Sequence, residues 1–434
     1  MYNWGAMSNS LEKTTSLGGT PTSIRTTASP ANVVLTIVLL LALPPLVYYL
    51  WFCLEYNHGK LALPSREMLM AIPAPTLTSV GIIAGWLIFQ SLLQIYAPGK
   101  WAEGPPLPDG TRLKYKLNGW AAWWITWAVL AAGVALKLFS PTILADQFGP
   151  LLTTANIFTY VFCFYLYWHG KHFATHHERI TNNVVYDFWL GTGLNPRIGN
   201  FDLKLFCEAR PGLIAWVAID LSLAAKQYEM HGILTVPMIL VCAFHFFYIA
   251  DYYFHEEAIL TTWDIKHENF GWMLCWGDLV WVPFTYTIQA YYLVEHTHDL
   301  PWWGATAIVL LNVIGYAAFR GANIQKHKFR KDPETPIWGK PAEYIKTARG
   351  ALLLTSGWWG LSRHMNYFGD LLMGLAWCLP CLFGSPVPYF YIIYFTILLV
   401  HRERRDYDMC AVRYGKDWDA YCAKVPRRII PGIY

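Results

Sequence analysis

Ionisable residues stand directly beside long apolar segments in the C-terminal third of the chain. Residues 355–370 have the sequence TSGWWGLSRHMNYFGD, and residues 401–410 have the sequence HRERRDYDMC. Because an ionisable group is costly in hydrocarbon, such a cluster at the edge of apolar runs indicates a functional site. Its Arg side chains can hold phosphates, and its amide and carboxylate groups can bind a ribose. These segments predict a site for a polar, phosphate-bearing ligand.

A basic segment precedes this cluster and extends it. Lys326 and Arg330 are four residues apart, which places them on one face of a helix. Such a pair binds the phosphates of lipid headgroups or of a nucleotide. Trp358 and Trp359 can stack on a flat ring. The polar residues that follow are Arg363, His364, Asn366, Asp370, Arg402, Arg405, Asp406, Arg413 and Tyr414.

A third group of polar residues lies at the end of an apolar run in the middle of the chain. Tyr248, Asp251 and His255 have the spacing i, i+3 and i+7, which places them on one helical face. Burial raises the pKa of a carboxyl group and makes it usable as an acid near neutral pH. The pattern predicts a proton relay, and the alternative is a polar clamp between two helices.

Histidines at residues 169–177 raise the possibility of a metal site. His169, His172, His176 and His177 form an HxxHxxxHH pattern, and membrane di-iron enzymes use such boxes. Those enzymes need about three boxes, whereas the other histidine-rich spot here is His296-Thr-His298. A solvated cluster at the membrane edge is therefore favoured, and no metal site is predicted.

The composition is that of an integral membrane protein. The chain has 434 residues, of which 55% are hydrophobic and 14% are charged, about half the charged fraction of a soluble domain. A span needs about 20 apolar residues, and the pattern predicts an all-α protein with ten transmembrane helices. The apolar runs are 33–54, 76–97, 119–136, 149–168, 211–225, 232–250, 272–294, 302–319, 368–384 and 386–400.

The basic residues predict how these helices are oriented. With ten alternating spans, all but four of the 33 Lys and Arg residues fall on the side that carries both termini. Positive loops are typically cytoplasmic, so both termini are expected there. Residues 1–30 are rich in Ser, Thr and Gly and predict a disordered cytoplasmic tail, and residues 31–434 predict a single multi-pass domain. The apolar run from Ala31 is long enough to be a span rather than a cleaved signal.

No Gly-x-Gly-x-x-Gly motif follows a strand pattern anywhere in the sequence. A dinucleotide would therefore have to bind without a Rossmann domain, in a pocket between helices.

From about residue 99 to its end, the chain resembles the sterol reductases, a family of multi-pass membrane enzymes that includes Δ14-, Δ7- and C24(28)-sterol reductases and the lamin B receptor. The most specific segments are 353–370 and the C-terminal HRERRD…RYGKDWDAYCAKVPRRIIPGIY. Residues 195–214, 255–271, 277–293 and 319–330 look most like the Δ14 enzymes and the lamin B receptor. One departure is Met365, where the Δ14 relatives usually have Pro.

This resemblance implies an NADPH-dependent reduction of a sterol double bond, most specifically C14=C15. It implies that Tyr248 faces the sterol, with Asp251 and His255 completing the relay, and that residues 320–434 form most of the NADPH pocket. It also implies an endoplasmic reticulum membrane in a eukaryote or an inner membrane in a bacterium. The implied cofactor residues are Lys326, Arg330, Trp359, His364, Asn366, Asp370, Arg402, Asp406 and Tyr414.

Two other functions remain compatible with parts of the sequence. Membrane methyltransferases of the isoprenylcysteine carboxyl type, which use S-adenosylmethionine, resemble the C-terminal segment but are much shorter. A non-catalytic sterol-binding protein would keep the aromatic pocket without a proton relay. The expected partners are a sterol and the lipid bilayer. Nothing resembles the DNA- and histone-binding region of the lamin B receptor, so no nucleic acid is expected, and the oligomeric state is left open.

Overall fold

The computed structural model describes residues 28–107, 110–174 and 180–434. The chain divides into two compact units, Met1–Thr297 and His298–Tyr434. Most of the predicted N-terminal tail lies outside the described residues. The second unit contains all the residues to which the sequence assigns a cofactor role.

The first unit is mainly helical, and four short segments interrupt its α-helices: two β-hairpins, a 3-10 turn and a π-helical segment. Its elements are α1 (Pro30–Glu55), α2 (Arg66–Met70), α3 (Leu77–Tyr96), β1 (Lys100–Pro106), β2 (Arg112–Leu117), α4 (Gly119–Ala135), α5 (Ile143–Asp146), α6 (Phe148–Phe173), α7 (Val184–Leu190), β3 (Arg197–Ile198), β4 (Phe201–Asp202), α8 (Leu203–Ala209), α9 (Pro211–His231), α10 (Val236–Phe254), a 3-10 turn (Glu256–Thr261), α11 (Trp263–His267), α12 (Trp272–Trp276), a π-helical segment (Gly277–Trp281), α13 (Val282–Thr285) and α14 (Ile288–Glu295).

The second unit has two long helices, three shorter ones and one small hairpin. Its elements are α15 (Trp302–Lys331), β5 (Tyr344–Lys346), β6 (Leu352–Leu354), α16 (Trp358–Leu361), α17 (Met365–Cys378), two 3-10 turns (Leu379–Cys381 and Val387–Tyr389), α18 (Phe390–Tyr414) and α19 (Lys416–Lys424). All three hairpins are antiparallel, with Lys100 opposite Leu117, Arg197 opposite Asp202 and Tyr344 opposite Leu354.

The apolar runs seen in the sequence are helical in the structure. Among the described residues, five helices are long and apolar enough to cross a membrane, namely α1, α3, α6, α10 and α15, and α4 is a shorter apolar helix. The run at 211–225 lies within α9, and the run at 386–400 begins before α18 and continues into it. The structure is therefore that of a helical membrane protein, while the count of ten spans and the orientation of the termini stay predictions.

The run at 272–294 is not one continuous helix. It is divided into α12, the π-helical segment, α13 and α14. Pro283 stands at the start of α13, where its missing N–H removes a helical hydrogen bond. Gly212 of α9 lies so close that a Cβ there would be 1.8 Å from the Asp278 carbonyl oxygen. The interrupted helix thus presents a backbone surface against which only glycine fits.

Local signals fix the ends of α10, the helix that carries the predicted proton relay. The Thr235 side chain accepts a hydrogen bond from the Met238 N–H at 3.4 Å, and Pro237 occupies the first turn. The helix ends at its C-cap residue, His255. Tyr248 and Asp251 therefore lie within the helix, and His255 lies at its C-terminal end.

In the second unit, α15 and α17 cross closely through small residues. A Cβ on Gly369 would be 2.4 Å from the Phe319 backbone nitrogen, and a Cβ on Gly315 would be 2.8 Å from the Gly369 carbonyl oxygen. Glycines at such a crossing allow two helix backbones to approach each other. This contact sets the positions of the polar residues on both helices, including Lys326 and Asn366.

Candidate functional site

Trp359 and Lys326 form one side of the candidate site in the second unit. The Lys326 ammonium lies 3.8 Å from the centroid of the Trp359 ring. The Trp359 Nε1–H donates to the Ala322 carbonyl oxygen at 2.8 Å, and the side chain is buried. A cation over an indole face is an attractive contact. The sequence predicted that Trp359 stacks on a ligand ring, whereas in the structure Lys326 occupies one of its faces.

His364 lies where positive charges from four places along the chain act together. The charges that act on the His364 imidazole are those of Lys326 on α15, Arg402 on α18, Arg428 near the C-terminus and Arg363, the residue before His364. Burial, followed by these four cations, lowers the pKa of His364 to about 3. The imidazole is therefore neutral at physiological pH, in surroundings that attract an anion.

Asp406 and Tyr367 complete the surroundings of the His364 ring. The His364 Nε2 atom is 3.9 Å from Asp406 Oδ2, and the ring stacks on Tyr367 with centroids 4.7 Å apart. Because the imidazole is neutral, the contact with Asp406 is between a dipole and a charge rather than an ion pair. Arg402 lies over the same tyrosine ring, 5.9 Å from its centroid. The structure thus brings together Lys326, Trp359, His364, Arg402 and Asp406.

Several buried polar atoms of the second unit have no hydrogen-bond partner among the described residues. They include Thr355 Oγ1, Arg363 Nε, Asn366 Oδ1 and Glu403 Oε1. An unsatisfied buried polar atom costs about 1–3 kcal/mol, so native proteins rarely leave such atoms unpaired. Thr355 Oγ1 and Arg363 Nε can donate to the oxygen atoms of an anionic ligand, which the surrounding cations also favour, whereas Asn366 Oδ1 and Glu403 Oε1 can only accept from hydroxyl or amide groups of a ligand. A nicotinamide dinucleotide has this character.

The remaining predicted residues lie further from His364. Arg330 is exposed, one turn after Lys326 on α15. Asp370 lies one turn after Asn366 on α17. Tyr414 packs against the cluster of Trp418, Tyr421 and Val425 at the end of α18. It is 12 residues from Arg402, about 18 Å along the helix axis.

Sequence reasoning missed the C-terminal residues that close this site. The Arg363 and His364 N–H groups donate to the Arg427 and Arg428 carbonyl oxygens, each at 2.9 Å. The Arg428 guanidinium donates to Glu403 Oε2 at 3.0 Å, and Glu403 is fully buried. The available signal was the Arg-Arg pair in the C-terminal motif, where a basic pair precedes two apolar residues.

In the first unit, two of the three predicted relay residues are in contact. The His255 Nδ1 atom lies 3.2 Å from Asp251 Oδ1. Partial burial lowers the pKa of His255 from its ordinary value. Tyr248 is half-buried, one turn earlier on α10, with its ring 6.3 Å from that of Trp216 on α9. The arrangement joins a carboxylate and an imidazole at the end of the helix that carries the tyrosine.

Trp216 connects Tyr248 to a buried pair that the sequence analysis did not identify. The His245 Nδ1 atom lies 2.8 Å from Asp220 Oδ2 and 3.1 Å from Trp216 Nε1. Asp220 and His245 are both fully buried. A carboxylate and an imidazole inside apolar helices indicate a functional role. The pair escaped notice because its members are 25 residues apart on two different helices.

A second group of buried charges lies in the segment before α9. The Lys204 ammonium donates to the carbonyl oxygens of Asp264 at 2.7 Å and Glu268 at 2.9 Å, and burial lowers its pKa to about 8. Burial and the nearby Asp264 raise the pKa of Glu208 to about 8, so this carboxyl group holds its proton at neutral pH. Glu256, the residue after His255, is buried and pairs with Arg210 at 2.5 Å.

The described residues contain no group of three or more His, Cys, Asp or Glu residues arranged to hold a metal ion. His176 and His177 of the HxxHxxxHH pattern lie outside the described residues.

Comparison with known proteins decides the family. The family model described as "Ergosterol biosynthesis ERG4/ERG24 family" matches residues 31–434. The chain belongs to this family. It is 59% identical over 403 residues to the Δ14-sterol reductase of Methylotuvimicrobium alcaliphilum, a match that covers 92% of this chain and 94% of the relative.

Two further relatives of the ERG4/ERG24 protein are also named as Δ14-sterol reductases. The Δ14-sterol reductase of Dictyostelium discoideum is 49% identical over 427 residues, covering 93% of this chain and 92% of the relative. The Δ14-sterol reductase TM7SF2 of Mus musculus is 43% identical over 406 residues, covering 91% and 95%. The resemblance that the sequence motifs implied is therefore confirmed at the level of the family.

Proposed function

We propose that this ERG4/ERG24 protein is a Δ14-sterol reductase that uses NADPH to reduce the C14=C15 double bond of a sterol. The observation that carries this proposal is the near full-length similarity to three proteins named as Δ14-sterol reductases, two of them 49% and 59% identical. The methyltransferase alternative finds no such support, since the match extends over residues 31–434.

The second unit supports NADPH as the reductant. The phosphate-binding charges Lys326, Arg402 and Arg428 surround a neutral His364, and Asn366 offers an unpaired buried oxygen. When bound there, NADPH would supply a hydride. Lys326, Arg330 and Arg402 would bind its phosphates, with the 2′-phosphate distinguishing NADPH from NADH. Charge-assisted contacts of this kind contribute about 1.5–3 kcal/mol each.

The first unit supports protonation of the substrate. An isolated trisubstituted double bond is not polarised, so an acid must first add a proton at C15 and leave a tertiary cation at C14. Tyr248 is the proposed donor, with the contacting Asp251 and His255 as its proton supply. The reference pKa of tyrosine is about 10, so the donor needs help from a hydrogen-bond partner. The ring of Trp216 beside Tyr248 can also stabilise a nearby cation.

The proposed topology is ten transmembrane helices with both termini in the cytoplasm. It rests on the ten apolar runs of the sequence and on the distribution of basic residues, and five of the described helices are long and apolar enough to span a membrane.

A substrate panel tests the proposed reaction. The purified full-length protein is incubated with NADPH and, separately, with Δ14, Δ7 and Δ24(28) sterols, and the products are identified by mass spectrometry. Reduction of the Δ14 sterol alone is expected. Preferred reduction of another double bond would contradict the proposed specificity, and methyl transfer from S-adenosylmethionine would contradict the reaction class.

A further inference from the structure

A large apolar cavity in the first unit has no assigned role. Its volume is about 970 Å³, and it lies among α3, α4, α6, α9 and α10. Aromatic side chains form much of its wall, and no charged residue lines it. Tyr248, Asp251 and His255 are not among the lining residues. The aromatic lining residues are Trp86, Phe89, Trp127, Phe139, Phe158, Phe246 and Phe284.

The cavity opens beside α3, one of the helices long enough to cross a membrane. Gly81 and Gly85 line it, are exposed and lie one turn apart. Small residues at this spacing usually mark a contact between two membrane helices. Here a Cβ on either glycine would meet nothing within 4 Å, so neither glycine serves a close helix contact. Because both positions are exposed and carry no side chain, they leave open space at this wall of the cavity.

The polar atoms of the wall are few, and two of them have no partner. Ser222 Oγ accepts from the Leu144 and Ala145 N–H groups, and Trp86 Nε1–H donates to the Pro211 carbonyl oxygen at 3.0 Å. Ser140 Oγ is 2.8 Å from Thr142 Oγ1. By contrast, Thr159 Oγ1 and Trp127 Nε1 are buried and have no hydrogen-bond partner among the described residues.

Thr159 is fully buried, so water does not solvate its hydroxyl group. A buried polar atom without a partner is destabilising, and a ligand that supplies the partner is bound more tightly. Thr159 can donate or accept one hydrogen bond, whereas Trp127 can only donate. A single hydroxyl group on the ligand can satisfy either atom.

We propose that this cavity binds a sterol at a site separate from the residues assigned to the reaction, with the sterol hydroxyl bonded to Thr159 or Trp127. The flat rings of the wall fit a rigid, apolar ring system, and the volume lies within the range of about 300–1,000 Å³ of small-molecule pockets. The absence of charged lining residues disfavours a phospholipid headgroup. The inference rests on the proposed function only for the choice of a sterol among neutral lipids.

Photolabelling with a diazirine analogue of cholesterol tests this site. The full-length protein in detergent is labelled without NADPH, and the labelled peptides are mapped by mass spectrometry. The label should fall on α3, α4, α6 or α9 and should be displaced by cholesterol but not by phosphatidylcholine. Equal displacement by phosphatidylcholine, or a label confined to other segments, would overturn the proposal.

Two variants and a control sharpen the result. Gly85→Leu fills the opening and should reduce labelling to background, while Ile88→Leu on the same helix, at an exposed position outside the cavity, should not change it. Thr159→Val removes the hydroxyl with little change of shape and should weaken labelling about three- to tenfold. Unchanged labelling in both cavity variants would refute the site. The measurement requires neither NADPH nor turnover. Labelling of this site can therefore be observed even if the proposed reaction does not occur.

Discussion

His364 has an unusually low pKa, and its effect on stability can be measured. Its pKa of about 3 in the folded protein lies below the ordinary value of 6.5, so between these values the unfolded chain binds one more proton. The free energy of unfolding should therefore fall as the pH decreases from about 6.5. Replacing His364 by Asn should reduce this loss, measured as the change in Tm in detergent between pH 7 and pH 5. The same substitution at the exposed His327 serves as the control, and equal pH dependence in wild type and His364→Asn would contradict the assignment.

Arg330 allows a test of cofactor preference without disturbing the core. Because its side chain is exposed, Arg330→Ala removes a charge and little packing. We expect the NADPH affinity to fall about tenfold, since a charge-assisted phosphate contact is lost, and the NADH affinity to change little. Isothermal titration with both nucleotides measures this difference. Lys331→Ala, also exposed on α15, is the matched control, and an equal loss for both nucleotides would remove Arg330 from the 2′-phosphate site.

Tyr248 is the residue on which the proposed protonation depends. Tyr248→Phe removes one oxygen atom, and we expect sterol reduction to fall by at least about 100-fold, in line with the usual contribution of a general acid. NADPH affinity should stay within about twofold, because the proposed cofactor residues belong to the second unit. Tyr228→Phe, an exposed position on α9, is the control. Wild-type turnover in Tyr248→Phe would point to another acid, of which Asp251 is the next candidate.

Which residues are candidates for function could be predicted from the sequence more readily than which residues they contact. The spacing of Asp251 and His255 was enough to predict their contact, because both lie on one helix and periodicity determines which side chains meet. The contact of Lys326 with Trp359 and the pairing of Asp220 with His245 depend on how separate helices pack. No local pattern encodes that packing, so these contacts appeared only in the structure.

At the scale of elements, the crossing of α15 and α17 determines where the cofactor residues lie. Gly369→Leu would force atoms into the Phe319 backbone, since even a Cβ would come within 2.4 Å of its nitrogen. We expect the free energy of unfolding to fall by about 1–3 kcal/mol and NADPH binding to weaken as Lys326 and Asn366 separate. Gly304→Leu is the control, because a Cβ there has its nearest contact at 3.5 Å. Thermal unfolding and nucleotide titration distinguish the two, and wild-type values in Gly369→Leu would show that the crossing is not tight.

The helices themselves were predictable from the apolar runs. In lipid the backbone N–H and C=O groups of each run have no water to bind, so they must pair with each other in a helix. The interruption of the 272–294 run was not predicted, although Gly277 and Pro283 were visible in the sequence. Glycine and proline are tolerated in membrane helices, so their presence alone does not show where a helix breaks. The close approach of Gly212 to Asp278 at the interrupted segment depends on how α9 packs, so it appeared only in the structure.

At the scale of the whole molecule, the proposed proton-donating residues and the proposed cofactor residues belong to different units of the structure. The proposed proton-donating residues belong to the first unit, Met1–Thr297, and the proposed cofactor residues to the second, His298–Tyr434. The family could be predicted from ordered motifs, and the comparison over residues 31–434 confirmed it. The division into units could not, because only residues 295–301 separate the apolar runs at 272–294 and 302–319, and so short a connection does not mark a domain boundary.

The central claim is that a protein acid adds one proton to a sterol double bond and that NADPH reduces the resulting cation. The most direct test is turnover of a Δ14 sterol by the purified protein with NADPH in deuterated water, followed by mass spectrometry and NMR of the product. The account predicts one solvent deuteron at C15 and none at C14. A product without solvent deuterium, with deuterium at both carbons, or with reduction at another double bond would contradict it.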